Sequence, residues 1–482
     1  MWRKVLLTTA ARRGAVCLDG SPGGYHIRAR DPHHWILFHE GGGWCFSTEE
    51  CDRRAYGEYT RLGSSNDWPE EPEESFTDAA DMLGAGAFRN HTVVFARYCD
   101  GGSWTGNADA PVTTAAGRLV YYRGHRLLEA LIESLLAAGL RDARVLLYAG
   151  CSAGALAAYL HADWVGARLP PSVRLIALAD GMFALPASTW AGEPKFERHL
   201  AWAFDAWNAS GAVHPACLRE YAAAGEGWRC LAGGEAARFV VTPTMSVGSR
   251  WDLWQKDAII GSSATIGEAP PAERAHWLEY ARRVEGALDA LPPQASFFFT
   301  GCIAHCQTGS ASDDPWSRGA WSGTSIQGTV LESAVVAWYT SQLTQPPLPP
   351  SSASPPAASA VCADGGRPRF RWMDRCDEQP CDGNACGNGA WAAGSVVDAV
   401  GSSEWLVLGS FALGVLVAAL WGVVARWTAR RLAPVGWRVW RPRRRLPELN
   451  SSSSIEAVGE AGSEMQMESP QGRQGQLSYT RH

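Results

Sequence analysis

The sequence has few of the features that mark nucleic-acid-binding, zinc-binding or repeat proteins. Its net charge is −6, so no basic excess indicates a nucleic-acid partner. Its 13 cysteines include no CxxC pair, the spacing typical of structural zinc sites. No internal repeat is visible, which argues against a solenoid or a propeller. With 482 residues, 46% of them hydrophobic, the chain is nevertheless long enough to bury one large core, or two.

A complete secretory signal is also missing. Residues 1–4 are basic, but only Val5–Leu7 follow as an apolar core, which is too short for a signal peptide. The scattered cysteines nevertheless favour disulfides formed in an oxidising compartment. Two N-glycosylation sequons, at Asn90 and Asn208, agree with such a compartment. We therefore expect an extracellular or lumenal protein whose signal peptide is absent from this sequence.

Only one stretch has the length and apolarity of a membrane span. Residues 405–425 carry no charge, and at 1.5 Å per residue they would cross a bilayer of roughly 30 Å. A Pro/Ser-rich linker (345–361) and a cysteine-containing juxtamembrane segment (362–404) precede them, and a basic, then disordered tail (426–482) follows. The arginines of the tail predict a single-pass type I membrane protein with a cytosolic C-terminus. A buried helix of the soluble core is the competing interpretation.

The cysteine positions predict two local features. Cys45 and Cys51 are close enough in sequence to close a small loop. The juxtamembrane segment holds four cysteines, which could bind a metal ion, although a small disulfide-bonded knob is the favoured interpretation: Cys362, Cys376, Cys381 and Cys386.

Residues 1–344 are predicted to form the catalytic domain, and its strongest motif is Gly150-Cys151-Ser152-Ala153-Gly154. An apolar strand-like run (144–149) precedes this motif and a helix-forming run (155–161) follows it. Strand, G-x-S-x-G and helix in this order predict a nucleophile elbow, whose glycines allow backbones to approach where a Cβ would clash. Ser152 could instead be a helix N-cap with no chemical role.

Further strand-like runs alternate with helical patterns. The region 118–139 has apolar residues at helical spacing and leads to the elbow strand. The alternation predicts an α/β-hydrolase-like, doubly wound and mostly parallel sheet. The predicted strands are Trp35–Phe38, Thr92–Ala96, Leu175–Ala179, Phe239–Val241 with Met245–Val247, and Ser296–Thr300.

A serine nucleophile needs a base, and in this fold the order along the chain is serine, acid, histidine. Ser152, Asp252 and His305 follow that order, each just beyond a strand-like run. His305 would act as general base and then general acid, and Asp252 would orient its imidazole. The oxyanion would face the backbone N–H groups of Gly43, Trp44 and Ala153. Such chemistry needs no metal and no organic cofactor.

Other interpretations of these residues remain open at this stage. His305 could be structural, or it could belong to a metal cluster with Cys302 and Cys306. Asp180 also follows a strand and is a rival for the acid. The histidines at 39 and 161 are expected to be packing residues rather than bases.

The spaced motifs of residues 5–339 resemble the pectin acetylesterase family, which also includes the Notum carboxylesterases that remove a fatty acyl group from Wnt proteins. The matching blocks are 15–25, Glu40–Cys45, Arg97–Gly101, Gly150–Gly154, Asp180-Gly181, Asp252 with Trp254-Gln255, and Ala304–Gln307. The resemblance implies the nucleophile at Ser152, the acid at Asp252 and the base at His305. This sequence departs from the family pattern at Ala155, where a second glycine is usual, and after Asp180, where an alanine is missing. Some cysteines expected between Asp252 and His305 are absent as well.

The resemblance implies a carboxylic ester hydrolase that removes acetyl groups from pectin-type polysaccharide. The membrane anchor predicted at its C-terminus lies outside the resemblance and rests on the uncharged stretch and the arginines alone. A Notum-like deacylase acting on a protein or lipid is the first alternative. A non-catalytic glycan-binding surface protein is the second.

Overall fold

A nine-stranded sheet runs through the part of the chain that the structure describes. The computed structural model describes residues 1–57, 60–72, 80–84, 86–262, 264, 268–292, 295–308, 321–344, 370–375 and 385–386. By its internal contacts the chain divides into two units, Met1–Val400 and Gly401–His482, and all the described residues belong to the first.

Seven of the nine strands form a continuous parallel array, and the two N-terminal strands extend it with antiparallel pairing on one edge. Numbered along the chain and given in spatial order, the strands are β1 (Arg3–Leu6), β2 (Gly24–Arg28), β4 (His91–Ala96), β3 (Asp31–His39), β7 (Val145–Cys151), β8 (Arg174–Asp180), β9 (Thr244–Trp251), β10 (Ser296–Ile303) and β13 (Arg371–Met373). The predicted mostly parallel α/β sheet is therefore confirmed.

Two smaller sheets and a set of helices complete the described structure. One hairpin pairs β5 (Val112–Thr113) with β6 (Leu119–Val120), and a three-stranded sheet joins β12 (Thr329–Val330), β11 (Thr324–Ile326) and β14 (Ala385–Cys386). The α-helices are α1 (Thr8–Ala11), α2 (Thr48–Tyr56), α3 (Ala80–Gly84), α4 (Gly124–Ala137), α5 (Ala153–Gly166), α6 (Lys195–Ala206), α7 (Pro215–Tyr221), α8 (Gly233–Ala236), α9 (Leu253–Gln255), α10 (Pro271–Asp289) and α11 (Leu331–Thr344). A π-helical turn follows α9 at Lys256–Ile260, and short 3₁₀ segments lie at Thr60–Leu62, Gly86–Phe88, Leu140–Asp142, Ala209–Ala212, Ala222–Ala224 and Gly227–Leu231.

The core lies on both faces of the sheet, as a parallel array requires. Alternate residues of β7 illustrate this, since Leu146 and Tyr148 belong to one buried cluster whereas Leu147 belongs to the other. Helices α4, α5, α6 and α10 contribute to the first cluster, and α3 and α11 to the second. Every residue of β7 is buried, which explains why its sequence is apolar throughout rather than alternating.

The structure differs from the sequence-based prediction at two places in the sheet. Phe239–Val241 is not a strand; β9 begins only at Thr244, after Pro243, which cannot donate a ladder hydrogen bond. The antiparallel strands β1 and β2 at the N-terminus were not predicted, because β1 is short and half polar.

The described parts of the segment predicted over 362–404, residues 370–375 and 385–386, contact the catalytic domain. Residues Arg371–Met373 form β13, which pairs in parallel with β10, and Cys386 is disulfide-bonded to Cys302 at the end of β10. The prediction of a self-contained disulfide knob is therefore wrong for Cys386. The domain boundary predicted at 344 leaves out a strand, because an edge strand can be supplied by a segment distant in sequence.

Ten of the cysteines form five disulfides: Cys17–Cys99, Cys45–Cys51, Cys151–Cys306, Cys217–Cys230 and Cys302–Cys386. The predicted small loop between Cys45 and Cys51 is confirmed. The other three cysteines, and the predicted membrane span at 405–425 with its linker and tail, lie outside the described residues. Among the helices that the structure does describe, none has both the length and the apolarity to cross a bilayer.

Candidate active site

The predicted site residues meet at one edge of the sheet. Strands β3, β7, β8, β9 and β10 are parallel neighbours, so their carboxyl ends lie side by side. The glycine run follows β3, Ser152 follows β7, Asp252 follows β9 and His305 lies two residues beyond β10. Sequence order alone would leave these residues far apart, and the parallel topology brings them together.

The turn between β7 and α5 has the strained geometry of a nucleophile elbow. Ser152 has a backbone φ of +56°, a value that residues other than glycine rarely adopt. A Cβ on Gly150 would lie 2.4 Å from the backbone of Gly154, and a Cβ on Gly154 would lie 2.0 Å from the main-chain oxygen of His39. Both glycines are therefore required by close approach, and the second allows α5 to sit directly against the end of β3.

Ser152, His305 and Asp252 form a continuous hydrogen-bonded chain. The Ser152 Oγ lies 2.7 Å from Nε2 of His305, and Nδ1 of His305 lies 2.9 Å from Oδ2 of Asp252. All three residues are buried. Ser152 stands at the N-cap position of α5, but its side chain accepts no capping hydrogen bond, so the hydroxyl contacts the imidazole instead. A serine, an imidazole and a carboxylate in this order can carry out acyl transfer.

Asp252 is itself held in place by the start of a helix. Its Oδ1 accepts a hydrogen bond from the Gln255 N–H at 2.8 Å, which leaves Oδ2 for the imidazole. The Tyr280 hydroxyl donates to Gln255 Oε1 at 2.7 Å and so fixes the end of this short turn. The carboxylate therefore reaches His305 from a rigid support.

Asp180, the rival candidate for the acid, forms hydrogen bonds with the residues that follow His305 rather than with its imidazole. Its Oδ2 accepts three hydrogen bonds: from the Gln307 N–H at 2.6 Å, and from the N–H and Oγ1 of Thr308 at 2.7 and 2.8 Å. Burial raises the pKa of Asp180 to about 6, although these donors oppose the shift. The carboxylate that contacts the His305 imidazole is that of Asp252.

Two disulfides also tie down the loop that carries His305. Cys306 is bonded to Cys151, so the neighbours of His305 and Ser152 are covalently joined. Cys302 is bonded to Cys386. Because both cysteines are oxidised, neither provides a thiolate, and the alternative metal cluster of Cys302, His305 and Cys306 does not fit the structure.

The main-chain carbonyls of the glycine loop after β3 accept hydrogen bonds from two side chains. Arg54 donates to the Gly42 oxygen at 2.7 Å and to the Trp44 oxygen at 3.3 Å. The Tyr98 hydroxyl donates to the Gly43 oxygen at 2.7 Å. In a trans peptide the N–H points opposite to the C=O. The N–H groups of Gly43 and Trp44 therefore point away from Arg54 and Tyr98. Both residues line a cavity together with Ser152 and Ala153.

These contacts could not be read from the sequence. Arg54 and Tyr98 were given no role there, although Tyr98 belongs to the block Arg97–Gly101 that follows β4. A block of polar residues directly after a parallel strand was the available signal. Of the remaining histidines, His161 is fully buried and contacts the main-chain oxygen of Ser103 at 2.9 Å. His39 is buried edge-on against Trp104 at 4.3 Å between ring centroids.

A small apolar cavity adjoins Ser152. Its walls are Gly43, Trp44, Ser152, Ala153, Leu156, Met182, Phe196, Leu200 and Trp254. The volume that the centre of a water molecule can occupy there is about 10 Å³, roughly what one ordered water needs. Trp254 stacks over His305 at 6.3 Å between centroids and contacts Phe196 edge-on at 5.8 Å. Trp254 and Phe196 thus form part of the cavity wall next to the imidazole.

Comparison with known proteins agrees with this geometry. A family model described as Pectinacetylesterase matches residues 1–349. The chain belongs to the pectinacetylesterase family. Pectin acetylesterase 5 of Arabidopsis thaliana is 30% identical over 320 residues, which cover 63% of this chain and 73% of that protein. Palmitoleoyl-protein carboxylesterase NOTUM of Mus musculus is 28% identical over 338 residues, 67% of this chain and 62% of that protein.

A solved structure of the Wnt deacylase Notum from Drosophila shares the fold, with a TM-score of 0.58, 21% identity and coverage of 72% of this chain and 95% of that one. The family predicted from the sequence motifs is thus confirmed, and this member of the pectinacetylesterase family is a carboxylic ester hydrolase.

Proposed function

We propose that this pectinacetylesterase-family chain hydrolyses acetyl esters of a pectin-type polysaccharide. The observation that carries the proposal is the hydrogen-bonded chain of Ser152, His305 and Asp252, whose serine lies in a cavity with apolar walls. Leu200 and Phe196 line this cavity, and on this proposal they limit the acyl group to a short chain. Relatives named pectin acetylesterases support the same substrate class.

In the proposed first step, Nε2 of His305 takes the proton of the Ser152 hydroxyl as Oγ attacks the acetyl carbonyl carbon. The N–H groups of Gly43, Trp44 and Ala153 stabilise the negative charge that develops on the carbonyl oxygen, and each such donor typically contributes about 3 kcal/mol. Asp252 stabilises the imidazolium. The C–O bond to the sugar then breaks, His305 returns its proton to the sugar oxygen, and acetyl-Ser152 remains.

In the second step, His305 accepts a proton from a water molecule that attacks the acetyl carbonyl. The tetrahedral intermediate uses the same N–H donors. The bond to Ser152 Oγ breaks, the imidazolium protonates that oxygen, and acetate leaves. The same histidine thus acts as base and as acid in each half of the cycle.

The test is an acyl-chain-length profile on purified protein. The kcat/KM for p-nitrophenyl acetate should exceed that for the octanoate ester by at least about 100-fold, since on this proposal the cavity walls admit only a short acyl chain. Ser152→Ala should abolish turnover and keep the circular dichroism of the parent. Release of acetate from acetylated pectin would then identify the polymer. Faster turnover of octanoate would favour the deacylase activity named for NOTUM.

A fluorophosphonate probe tests whether the chain is an enzyme or only a glycan-binding protein. Labelling that is lost in Ser152→Ala supports the proposed nucleophile. A folded protein that binds acetylated pectin but is not labelled would favour the binding function.

We also propose that the enzyme acts outside the cytosol and is anchored by residues 405–425. The five disulfides support an oxidising compartment. The anchor is supported by the uncharged sequence and the arginines after it. The full chain should stay with membranes after alkaline carbonate washing, and a chain ending at residue 400 should not. Release of both proteins would contradict the anchor.

A further inference from the structure

One buried hydroxyl contacts both chain segments that supply the proposed oxyanion donors. Ser103 lies in the loop after β4 and is fully buried. Its Oγ accepts a hydrogen bond from the indole Nε1–H of Trp44 at 2.6 Å and donates one to the main-chain oxygen of Ala153 at 2.6 Å. Trp44 belongs to the glycine loop, whereas Ala153 begins α5. The distance between these two segments sets the width of the oxyanion site.

The chemistry of the three groups fixes the direction of both hydrogen bonds. An indole N–H can only donate and a carbonyl oxygen can only accept, so the group between them must do both. A hydroxyl is the smallest side-chain group with that property. Replacing it with a methyl group would leave a buried donor and a buried acceptor without partners, which is costly.

The main chain of Ser103 is held from further directions. Its N–H donates to the Tyr98 hydroxyl at 3.4 Å, the same hydroxyl that fixes the Gly43 oxygen. Its carbonyl oxygen accepts hydrogen bonds from His161 Nε2 at 2.9 Å and from Thr105 Oγ1 at 3.2 Å. Ser103 therefore has a fixed position relative to both the glycine loop and α5.

The backbone at this position is strained. Ser103 has φ +54° and Trp104 has φ +57°, in the left-handed region that favours glycine. Glycine would adopt this conformation more readily, but it has no hydroxyl. A serine in such a conformation indicates that its side chain has a role that outweighs the strain.

We infer that Ser103 is a positioning residue for the oxyanion site: it sets the spacing between the N–H groups of Gly43 and Trp44 on one side and that of Ala153 on the other. The inference rests on the proposed function, because it assigns these N–H groups to the developing oxyanion. Ser103 contacts no substrate and acts through Trp44 and Ala153.

The primary test is Ser103→Ala with p-nitrophenyl acetate. A small displacement of preorganised donors typically costs one to two orders of magnitude in rate, so kcat should fall about 10- to 100-fold. KM should change by less than about threefold, because the donors face the transition state rather than the ground state. The inhibition constant of a small alkylboronic acid, which forms a tetrahedral adduct with the serine, should rise in parallel with the loss in kcat.

Thr105→Val provides the matched control. It removes a hydroxyl that is also fully buried and that bonds to the Ser103 carbonyl, but it touches no proposed oxyanion donor. We expect its thermal stability to fall while kcat stays within about twofold of the parent. A merely structural role for Ser103 would make the two variants alike.

A double-mutant cycle tests whether Ser103 acts through its hydrogen bond with the indole of Trp44. Trp44→Phe keeps a six-membered aromatic ring in the cavity wall and removes the five-membered ring with its Nε1–H donor to Ser103. The double variant should lose less kcat than the product of the two single losses, since both changes break the same bond. Should Ser103→Ala fail to fold, Ser103→Gly fits the positive φ and serves in its place.

The outcomes separate this inference from the proposed function. An inactive parent, or an active Ser152→Ala, would overturn the proposed function itself. If the parent is active and Ser152→Ala is inactive, but Ser103→Ala behaves like Thr105→Val, only the proposed role of Ser103 is overturned. Strictly multiplicative losses in the cycle would overturn the route through Trp44.

Discussion

Two buried aspartates at neighbouring strand ends make different contacts with the same loop. Asp252 contacts the imidazole of His305, whereas Asp180 accepts hydrogen bonds from the residues that follow it. Sequence position could not separate them, because each follows a parallel strand. The difference arises from which side of the loop each strand end faces, and that depends on the assembled sheet.

Asparagine at each position should distinguish these roles. Asp252→Asn should lower kcat by about 10⁴-fold, since an amide neither selects the required tautomer nor stabilises the imidazolium. Asp180→Asn should lower it by less than about tenfold, because the amide oxygen still accepts from the loop N–H groups. Steady-state kinetics on both proteins at pH 8 would check this, and a larger loss for Asp180→Asn would reverse the assignment.

The buried carboxyl of Asp180 also predicts a pH dependence of stability. Burial raises its pKa to about 6, above the value of about 3.9 for an exposed aspartate. The folded state then keeps a proton that the unfolded chain releases, so this contribution to the free energy of unfolding is complete below about pH 4 and is lost as pH rises through 6. The Tm of the parent minus that of Asp180→Asn should fall over this range and level off above it. A difference that is constant with pH would contradict this prediction.

The residues of the serine, acid and histidine chain could be predicted because each follows a recognisable strand in a known order. The supporting residues could not. Ser103 stands 59 positions from Trp44 and 50 from Ala153, and no local pattern joins them. Its importance depends on hydrogen bonds between segments, which only the folded chain shows.

Among the elements, α6 has the clearest consequence for specificity. Phe196 and Leu200 lie one helical turn apart on its buried face and both line the cavity beside Ser152. The helix thus forms part of the wall of this cavity, which on the proposed function receives the acyl group. Its apolar pattern was indistinguishable in sequence from that of any core helix, because pattern shows that a face is buried and not what it is buried against.

Shortening this wall should lengthen the acceptable acyl chain. Leu200→Ala should raise the ratio of hexanoate to acetate turnover by about tenfold, consistent with the 1–3 kcal/mol value of a few methylenes in a pocket. The new cavity should cost about 2–5 kcal/mol in stability. Turnover of a p-nitrophenyl ester series would measure the ratio.

Leu135→Ala in α4 is the matched control, since Leu135 is fully buried but does not line the cavity. It should show a similar loss of stability with an unchanged chain-length profile. An unchanged profile in Leu200→Ala as well would mean that α6 does not limit the acyl chain.

At the scale of the whole molecule, the catalytic unit depends on a segment that the sequence assigned to a separate region. Strand β13 covers the edge of β10, and Cys386 is bonded to Cys302 only three residues before His305. A three-residue strand beyond a proline-rich stretch gives no periodic signal. The inner strands, by contrast, were predictable because each contains a short apolar run.

A chain ending at Thr344 should therefore be less stable than one ending at residue 400. It loses β13 and the Cys302–Cys386 disulfide, and the disulfide alone is typically worth about 2–5 kcal/mol. The exposed β10 edge and the free Cys302 thiol should also promote dimers. Thermal unfolding and non-reducing electrophoresis would check both effects.

Cys302→Ser in the shorter chain should remove thiol-linked dimers without restoring the Tm. Equal stability of the two chain lengths would show that β13 is dispensable.

The disulfide between Cys151 and Cys306 spans 155 residues and joins the neighbours of the two reacting side chains. A ribosome that has made the elbow must translate strands β8, β9 and β10 before the partner cysteine emerges. On the proposed mechanism, a nascent polypeptide consequently carries its nucleophile in an inert form. On that mechanism, ester cleavage would begin only once the segment that carries His305 has been synthesised and has folded against the elbow.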